Sequence, residues 1–197
     1  MTDVNQFRKA SYAIDPIYIN RWSPRAFSAQ KVSNDVLNSL FEAARWAPSA
    51  ANVQPWRFVF ASSEEDKKTF LSFINEGNVA WCKNAPVLIA VISKVEEERF
   101  GGNNPAHAFD TGTAWGFLAL EAARKGLVTH AMGGFNKEKA KEALSVPDGY
   151  QLHAIVAVGY QGEKSSLDAA YQEREVPSPR NEVETFVSEG IFKENSK

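Results

Sequence analysis

The sequence predicts a layered domain in which helices pack on a sheet, of the α/β or α+β class. Two uninterrupted apolar runs, APVLIAVIS at residues 85–93 and LHAIVAVG at residues 152–159, have the length of buried strands. Segments with helical periodicity lie between and after the strand candidates. With 44% hydrophobic and 23% charged residues in 197, the chain is long enough to bury its own core, and we expect one domain over residues 1–197.

Capping residues, prolines and apolar periodicity place the individual elements. Asp15 suits an N-cap and Pro16 suits the first helical position, while Gly126 suits the position just after a helix. In chain order we expect a helix from Pro16 to about Arg21, a helix from the Ser33–Asp35 caps to Pro48, a strand at 57–61, a helix at 64–74, a strand at 85–93, a loop at 99–108, a helix at 109–125, a strand at 127–132, a helix from Asn136 to about Leu144 and a strand at 152–159.

Large apolar side chains are also found outside the expected strands. One side of the helix at 109–125 is expected to be buried, and it carries Phe109, Thr113, Phe117, Leu120 and Ala123. The last thirty residues are rich in charge, yet they contain four large apolar residues that a surface tail seldom needs: Phe186, Val187, Ile191 and Phe192. We expect these residues to pack on another surface, for which a partner subunit is a candidate.

Charge and composition exclude several functions. The chain has 22 Lys and Arg against 24 Asp and Glu, which argues against binding to nucleic acid or to an anionic membrane surface. Cys82 is the only cysteine, so no internal disulfide forms, and no metal-ligand spacing is present. The apolar runs are too short for a membrane span, and the first ten residues do not resemble a signal peptide. We therefore expect a soluble, cytoplasmic protein.

The polar cluster Arg21-Trp22-Ser23-Pro24-Arg25 is the densest in the chain. Two guanidinium groups four residues apart, with a hydroxyl between them, can meet the oxygens of a phosphate. A solvated basic turn is the alternative interpretation.

Two further segments could contact a ligand. Residues 48–56 (PSAANVQPW) join a helix to a strand through more polar residues than a connection needs, and Asn52 and Gln54 can each donate and accept hydrogen bonds. Met132-Gly133-Gly134-Phe135 follows a strand, and glycines without a Cβ let backbone N–H groups approach a ligand. Simple turns would explain either segment equally well.

The order R-x-S-x-R, then P-S-x-x-N-x-Q-P-W, then G-G-F resembles the FMN-dependent nitroreductase family, and so does NVAWCKNAP from Asn78 to Pro86. The resemblance extends from about Arg21 to Phe192. It implies an α+β, nitroreductase-like layered fold, with a central, mostly antiparallel sheet flanked by helices. It also implies an intertwined homodimer with FMN in the interface, in which the segment at about 180–197 reaches across to the partner.

The resemblance also implies the residues that bind FMN. Arg21, Ser23, Arg25 and Arg180 would hold the phosphate end, with Trp22 contributing backbone and ring packing. The other subunit would supply Pro48, Ser49 and Asn52, with Gln54 shaping the same loop. Asn78 would contact the pyrimidine edge, and Met132, Gly133 and Gly134 would bring backbone toward flavin N5 and O4. Some relatives have a lysine at Trp81 and a second base at Ser178, so three arginines are expected around the phosphate here.

The implied chemistry belongs to the flavin. NADH or NADPH and an electrophile such as a nitroaromatic or quinone would take turns at the ring in a ping-pong hydride transfer, with no catalytic side-chain nucleophile. Cys82 is then structural, and His130 and His153 are expected to be structural histidines. His107 and Asp110 could touch the substrate or serve as surface and capping groups. The alternatives are an FMN carrier or sensor without turnover, and a specialised enone reductase or dehalogenase.

Overall fold

The structure, a computed structural model, describes residues 4–194. Its central sheet has four strands in the order β1-β2-β6-β5, and every neighbouring pair is antiparallel. An α+β fold is therefore confirmed, and the α/β alternative is wrong because it would require parallel strands. The strands are β1 (Trp56–Ala61), β2 (Val87–Lys94), the two-residue pair β3 (Glu96–Glu97) and β4 (Gly102–Asn103), β5 (Leu127–Met132) and β6 (Tyr150–Tyr160).

Three of the helices begin at capping residues that the sequence indicated. Asp15, Ser33 and Asn136 each accept a backbone N–H with their side chains, as N-caps do. Two short helices, α4 and α7, were not predicted. The loop expected at 99–108 contains β4, which pairs with β3 just before the loop, and its last residues already belong to α5. The helices are α1 (Pro16–Asn20), α2 (Asn34–Arg45), α3 (Glu64–Phe73), α4 (Glu76–Cys82), α5 (His107–Arg124), α6 (Lys137–Ala143) and α7 (Ala169–Gln172).

The central strand β2 is buried on both faces, as its continuous apolar sequence predicted. Leu88, Ala90 and Ile92 face one core cluster, which also holds side chains of α3, α4 and α6. The alternate residues Val87 and Val91 face the second cluster, together with side chains of α2 and α5. Alternation of side chains along a strand thus produces three layers, with the sheet between two sets of helices.

Helix α5 buries a different side from the one expected. Its buried positions include Ala114, Leu118 and Ala122, whose small or aliphatic side chains let the helix lie close to α2 and the sheet. Phe109 and Phe117, on the side predicted to be buried, are 78% and 40% exposed in the single chain. The prediction was wrong because an alanine-rich helix offers two apolar sides, and periodicity does not say which of them meets the sheet.

The C-terminal segment makes polar contacts with the N-terminal one. The hydroxyl groups of Ser11 and Tyr12 donate to the carboxylates of Glu182 and Glu184, at 3.2 and 3.0 Å. The four large apolar side chains of the tail remain 55% exposed or more, so the packing expected for them does not occur within one chain. Within residues 4–194, no helix combines the length and apolar character needed to cross a membrane.

Candidate functional site

Five arginines surround one cavity of about 270 Å³. Arg21 and Arg25 come from the segment after α1, and Arg180 comes from the C-terminal segment, so the structure brings together these three predicted residues. Arg8 and Arg174, which were not predicted, also line the cavity. The other residues around the cavity are Trp22, Ser23, His130, Val176 and Ser178, so none of its described lining residues is acidic.

The cavity is lined by groups that favour an anion. Arg21 Nη1 lies 3.5 Å from the hydroxyl of Ser23, which places a charged and a neutral donor side by side. Burial lowers the pKa of Arg21, and the neighbouring charge of Arg180 lowers it further. Because like charges held together repel, an anion that neutralises them would be bound favourably.

A buried carboxylate holds the backbone at Arg25. Both Glu175 oxygens accept the Arg25 N–H at 2.9 Å, and Oε1 also accepts the Ala26 N–H at 2.9 Å. Glu175 is 4% exposed and was not predicted, because 150 residues separate it from Arg25. By fixing the backbone, this carboxylate leaves the Arg25 guanidinium free to lie 5.9 Å from the ring centroid of Trp81.

Trp81 and His130 form the inner wall of this region. Trp81 is 1% exposed and its ring lies 4.4 Å from that of His130, so it is a core side chain rather than a substitute for a lysine at an open site. His130 Nδ1 lies 3.0 Å from the carbonyl oxygen of Pro24. Burial lowers the pKa of His130 to about 4. The imidazole is therefore neutral near pH 7 and structural, as expected.

Asn78 and Gly134 meet just beyond the end of β5. Asn78 Nδ2 donates to the Gly134 carbonyl at 3.2 Å, and the Asn75 N–H donates to the same oxygen at 3.1 Å. A Cβ on Gly134 would lie 2.7 Å from Asn78 Nδ2, so a side chain at this position would displace the Asn78 amide. Met132 is buried, whereas Gly133 is exposed and has no neighbouring atom within 4 Å of where its Cβ would be. A ligand can therefore reach the backbone at Gly133.

The cavity and the glycines are linked by β5. His130 lines the cavity, and Gly133 follows it by three residues, which is about 10 Å of extended chain. A ligand with an anionic group at one end and a flat polar group at the other could span these two places. The residues present therefore fit an elongated phosphate-bearing cofactor such as FMN.

The loop at 48–54 is held in a strained conformation. Ala51, Asn52 and Gln54 have φ values of 48°, 57° and 53°, which side chains other than glycine rarely adopt. Ser49 Oγ accepts the Gln54 N–H at 3.0 Å, and the Gln54 amide donates to the backbone and side chain of Asn52. Pro48 and Asn52 are exposed. This loop is not part of the arginine cavity within one chain.

Asp110 and Arg99 fasten that loop to the rest of the fold. Asp110, at the start of α5, is 4% exposed and accepts the Ala50 N–H at 3.0 Å, while Arg99 Nη1 donates to the Ala51 carbonyl. Of the two roles weighed for Asp110, the structure thus favours a structural one, although it anchors a loop rather than capping its own helix. These contacts stabilise the strained backbone of the loop.

A second polar cluster lies at the start of α5. The hydroxyl of Ser93, which is fully buried, lies 2.7 Å from Nδ1 of His107 and 2.7 Å from Nε2 of His153. Burial, followed by the charge of His107, lowers the pKa of His153. His153 is therefore structural, as expected, and His107 bonds inward to Ser93. Cys82 is fully buried and burial raises the pKa of its thiol to about 12, so it is also structural.

Comparisons with known proteins identify the family and the fold. A model of the Nitroreductase family matches residues 18–80 and 68–160. A solved structure described as an oxidoreductase containing FMN has a TM-score of 0.93 and 42% identity, covering 99% of this chain and 100% of its own. A nitroreductase family protein from Clostridium novyi NT has a TM-score of 0.67 and 25% identity, covering 81% and 89%.

A curated relative is also similar in sequence. A protein of Xanthomonas oryzae pv. oryzae (strain PXO99A) carries the provisional name NADH dehydrogenase/NAD(P)H nitroreductase. It is 29% identical over 173 residues, which cover 79% of this chain and 88% of the relative. Since the family model spans well over half of the sequence and the fold agrees throughout, the chain belongs to the nitroreductase family.

Proposed function

We propose that this protein is an FMN-dependent oxidoreductase that takes electrons from NADH or NADPH and passes them to nitroaromatics, quinones or similar electrophiles. The observation that carries the proposal is the arginine cavity, with an accessible glycine backbone about 10 Å further along β5. Family membership and the FMN-containing oxidoreductase at 42% identity support the choice of cofactor. The name of the Xanthomonas relative supports a nicotinamide donor.

In this proposal each part of the site binds a different part of FMN. Arg21, Arg25 and Arg180 hold the phosphate through charge-assisted hydrogen bonds, with Ser23 as a neutral donor and Trp22 as part of the wall. Asn78 supplies amide donors and acceptors to the polar edge of the ring. Met132 packs beneath the strand end, where the Gly133 and Gly134 backbone approaches the ring.

FMN supplies hydride transfer when bound, and the chain supplies binding, orientation and a polar environment. Within one chain, nothing beyond the neighbouring residues lies within 4 Å of the position that a Cβ on Gly133 would occupy, so the backbone there is accessible to an incoming group. The only thiol, Cys82, is buried with a raised pKa, so it cannot serve as a nucleophile. We propose that donor and acceptor use the same face of bound FMN in turn, which is a ping-pong sequence.

We further propose that one domain, residues 1–197, forms a homodimer that completes the site. Phe109 is 78% exposed and Trp46 is 68% exposed, and exposed aromatics of this size are typical of interfaces. Pro48, Ser49, Asn52 and Gln54 lie outside the arginine cavity of their own chain, which fits a role at the partner's cofactor. The segment at about 180–197 carries exposed apolar side chains that could cover the partner.

Absorbance spectroscopy of the purified protein tests the proposal. The protein should be yellow or should take up FMN, its flavin absorbance should bleach with NADH or NADPH, and it should recover when a nitroaromatic is added. Flavin that neither nicotinamide bleaches would identify a carrier or sensor instead. A protein that cannot bind FMN would contradict the proposal altogether.

A panel of acceptors separates a broad nitroreductase from a specialised relative. For a broad nitroreductase we expect comparable kcat/KM values across nitroaromatics and quinones, because the flavin and not a side chain supplies the chemistry. A preference of several orders of magnitude for one enone or one halogenated compound would instead indicate an enone reductase or a dehalogenase.

A further inference from the structure

Arg8 joins three segments that are far apart in the sequence. Its Nε donates to the Ser178 carbonyl at 2.7 Å, and its Nη1 donates to the carbonyls of Ile19 and Arg21 at 3.0 and 2.9 Å. One guanidinium therefore connects the end of α1, the backbone of Arg21 and the backbone of Ser178, which lies two residues before Arg180. The family model begins at residue 18, so Arg8 lies outside the part of the chain that it matches.

The fork shape of the guanidinium makes these three contacts possible. Nε and Nη1 point in fixed directions from one plane, so that the Ser178 contact and the two carbonyls after α1 are held at a set separation. A lysine ammonium carries the same charge but has no such plane. The 3-10 turn at Val4–Gln6 leads into Arg8, and buried Val4 accepts the Arg8 N–H through its carbonyl at 3.0 Å. The approach of the chain to Arg8 is thus also fixed.

Arg8 also contributes its charge to the cavity. It lines the cavity beside Arg21 and Arg180. Burial lowers the pKa of Arg8, and the charges of Arg180 and Arg21 lower it further. Three positive groups at this spacing stay together only if other contacts oppose their repulsion, and the carbonyl hydrogen bonds of Arg8 do so.

We propose that Arg8 is a positioning residue for phosphate recognition: its guanidinium fork fastens Arg21 to the segment that carries Arg180, so that both meet the phosphate of the bound flavin. The inference rests on the proposed FMN function and adds a residue to it. Riboflavin has the same ring as FMN but no phosphate. Because Arg8 acts only at the phosphate end, the affinity for riboflavin does not depend on Arg8. The requirement is for the shape of the guanidinium and not for its charge alone.

Equilibrium binding of FMN and of riboflavin to four proteins tests this role, with flavin fluorescence as the readout. The proteins are the wild type, Arg8→Lys, Arg8→Gln and Lys9→Gln, the last being a matched loss of one charge from an exposed neighbour. Both Arg8 variants should weaken FMN binding by about 10-fold or more, the usual value of a hydrogen bond to a charged group. Riboflavin binding should change less than about twofold, and so should FMN binding by the Lys9 variant.

Three results would overturn the proposal. Wild-type affinity for FMN in Arg8→Lys would show that the fork is unnecessary. An equal loss of FMN and riboflavin binding would show a general effect on the fold, and an equal effect of Lys9→Gln would show a diffuse effect of charge. If Arg8→Gln does not fold, the Arg8→Lys protein decides the question. A wild type that binds no FMN would refute the proposed function itself, which is a different outcome.

Discussion

Replacing Gly134 by alanine tests the packing that holds Asn78 at the end of β5. The new Cβ would lie 2.7 Å from Asn78 Nδ2 and 3.4 Å from Asn75 Nδ2. The first contact must open by about 0.7 Å to become an ordinary van der Waals contact, which rotates the Asn78 amide away and breaks its 3.2 Å bond to the Gly134 carbonyl. Asn78 is the residue we propose for the polar edge of the flavin ring.

The expected cost follows from these two changes. Losing the hydrogen bond costs about 0.5–1.5 kcal/mol, and holding Asn78 off its preferred rotamer costs about 0.5–1.5 kcal/mol more. Gly133→Ala is the matched control, since nothing lies within 4 Å of its Cβ position. Both variants gain the same stabilisation from a less flexible unfolded chain. Their difference should therefore be about 1–3 kcal/mol, with Gly134→Ala the less stable protein.

Urea denaturation of the apoprotein measures this difference. The same two alanine substitutions in an Asn78→Ala background should differ by less than about 0.5 kcal/mol, because the clashing amide has gone. Equal stability of Gly134→Ala and Gly133→Ala in the wild-type background would refute the proposed packing. A difference that survives in the Asn78→Ala background would show that another contact is responsible.

Three further predictions concern the cofactor, the tail and the pH dependence of folding. The double substitution Arg21→Ala and Arg25→Ala should weaken FMN binding by about 3–6 kcal/mol, and unchanged flavin content after dialysis would contradict the phosphate assignment. Removing residues from Glu184 onward should lower both the dimer fraction in sedimentation and the flavin content, and a fully loaded dimer would oppose our interpretation of the tail. Burial lowers the pKa of His130 to about 4, so the unfolded state binds the proton more readily, and stability should fall as pH drops from about 6.5 to about 4, by up to roughly 3 kcal/mol. Urea titrations of the apoprotein should show this loss relative to His130→Gln, and parallel pH profiles of the two proteins would refute it.

Local patterns predicted most of the fold. The continuous apolar sequence of β2 predicted burial on both faces, and side chains from two clusters do enclose it. The Asp15 and Ser33 caps marked helix starts correctly because an N-cap acts within three residues of itself. The sequence could not decide which side of α5 faces the sheet, since Phe117 and Leu118 are both apolar and only tertiary packing separates them.

Residue patterns alone could indicate the site only where its residues are neighbours in the sequence, and the distant Arg180 and Asn78 were named only through the family resemblance. The R-x-S-x-R and Gly-Gly motifs were recognisable because each lies on one short segment. Arg8 and Glu175 were missed, since each acts on backbone groups about 150 residues or more away, at Ser178 and Arg25 respectively. No local pattern identifies such partners, since even Arg8 lies 13 residues before Arg21, outside the R-x-S-x-R motif.

Anaerobic stopped-flow absorbance of the FMN-loaded protein tests the central claim most directly. We expect NADH or NADPH to bleach the flavin in a first mixing step, and a nitroaromatic or quinone to restore its absorbance in a second step without nicotinamide present. Flavin that stays oxidised with both nicotinamides, or reduced flavin that no acceptor reoxidises, would contradict the proposed oxidoreductase.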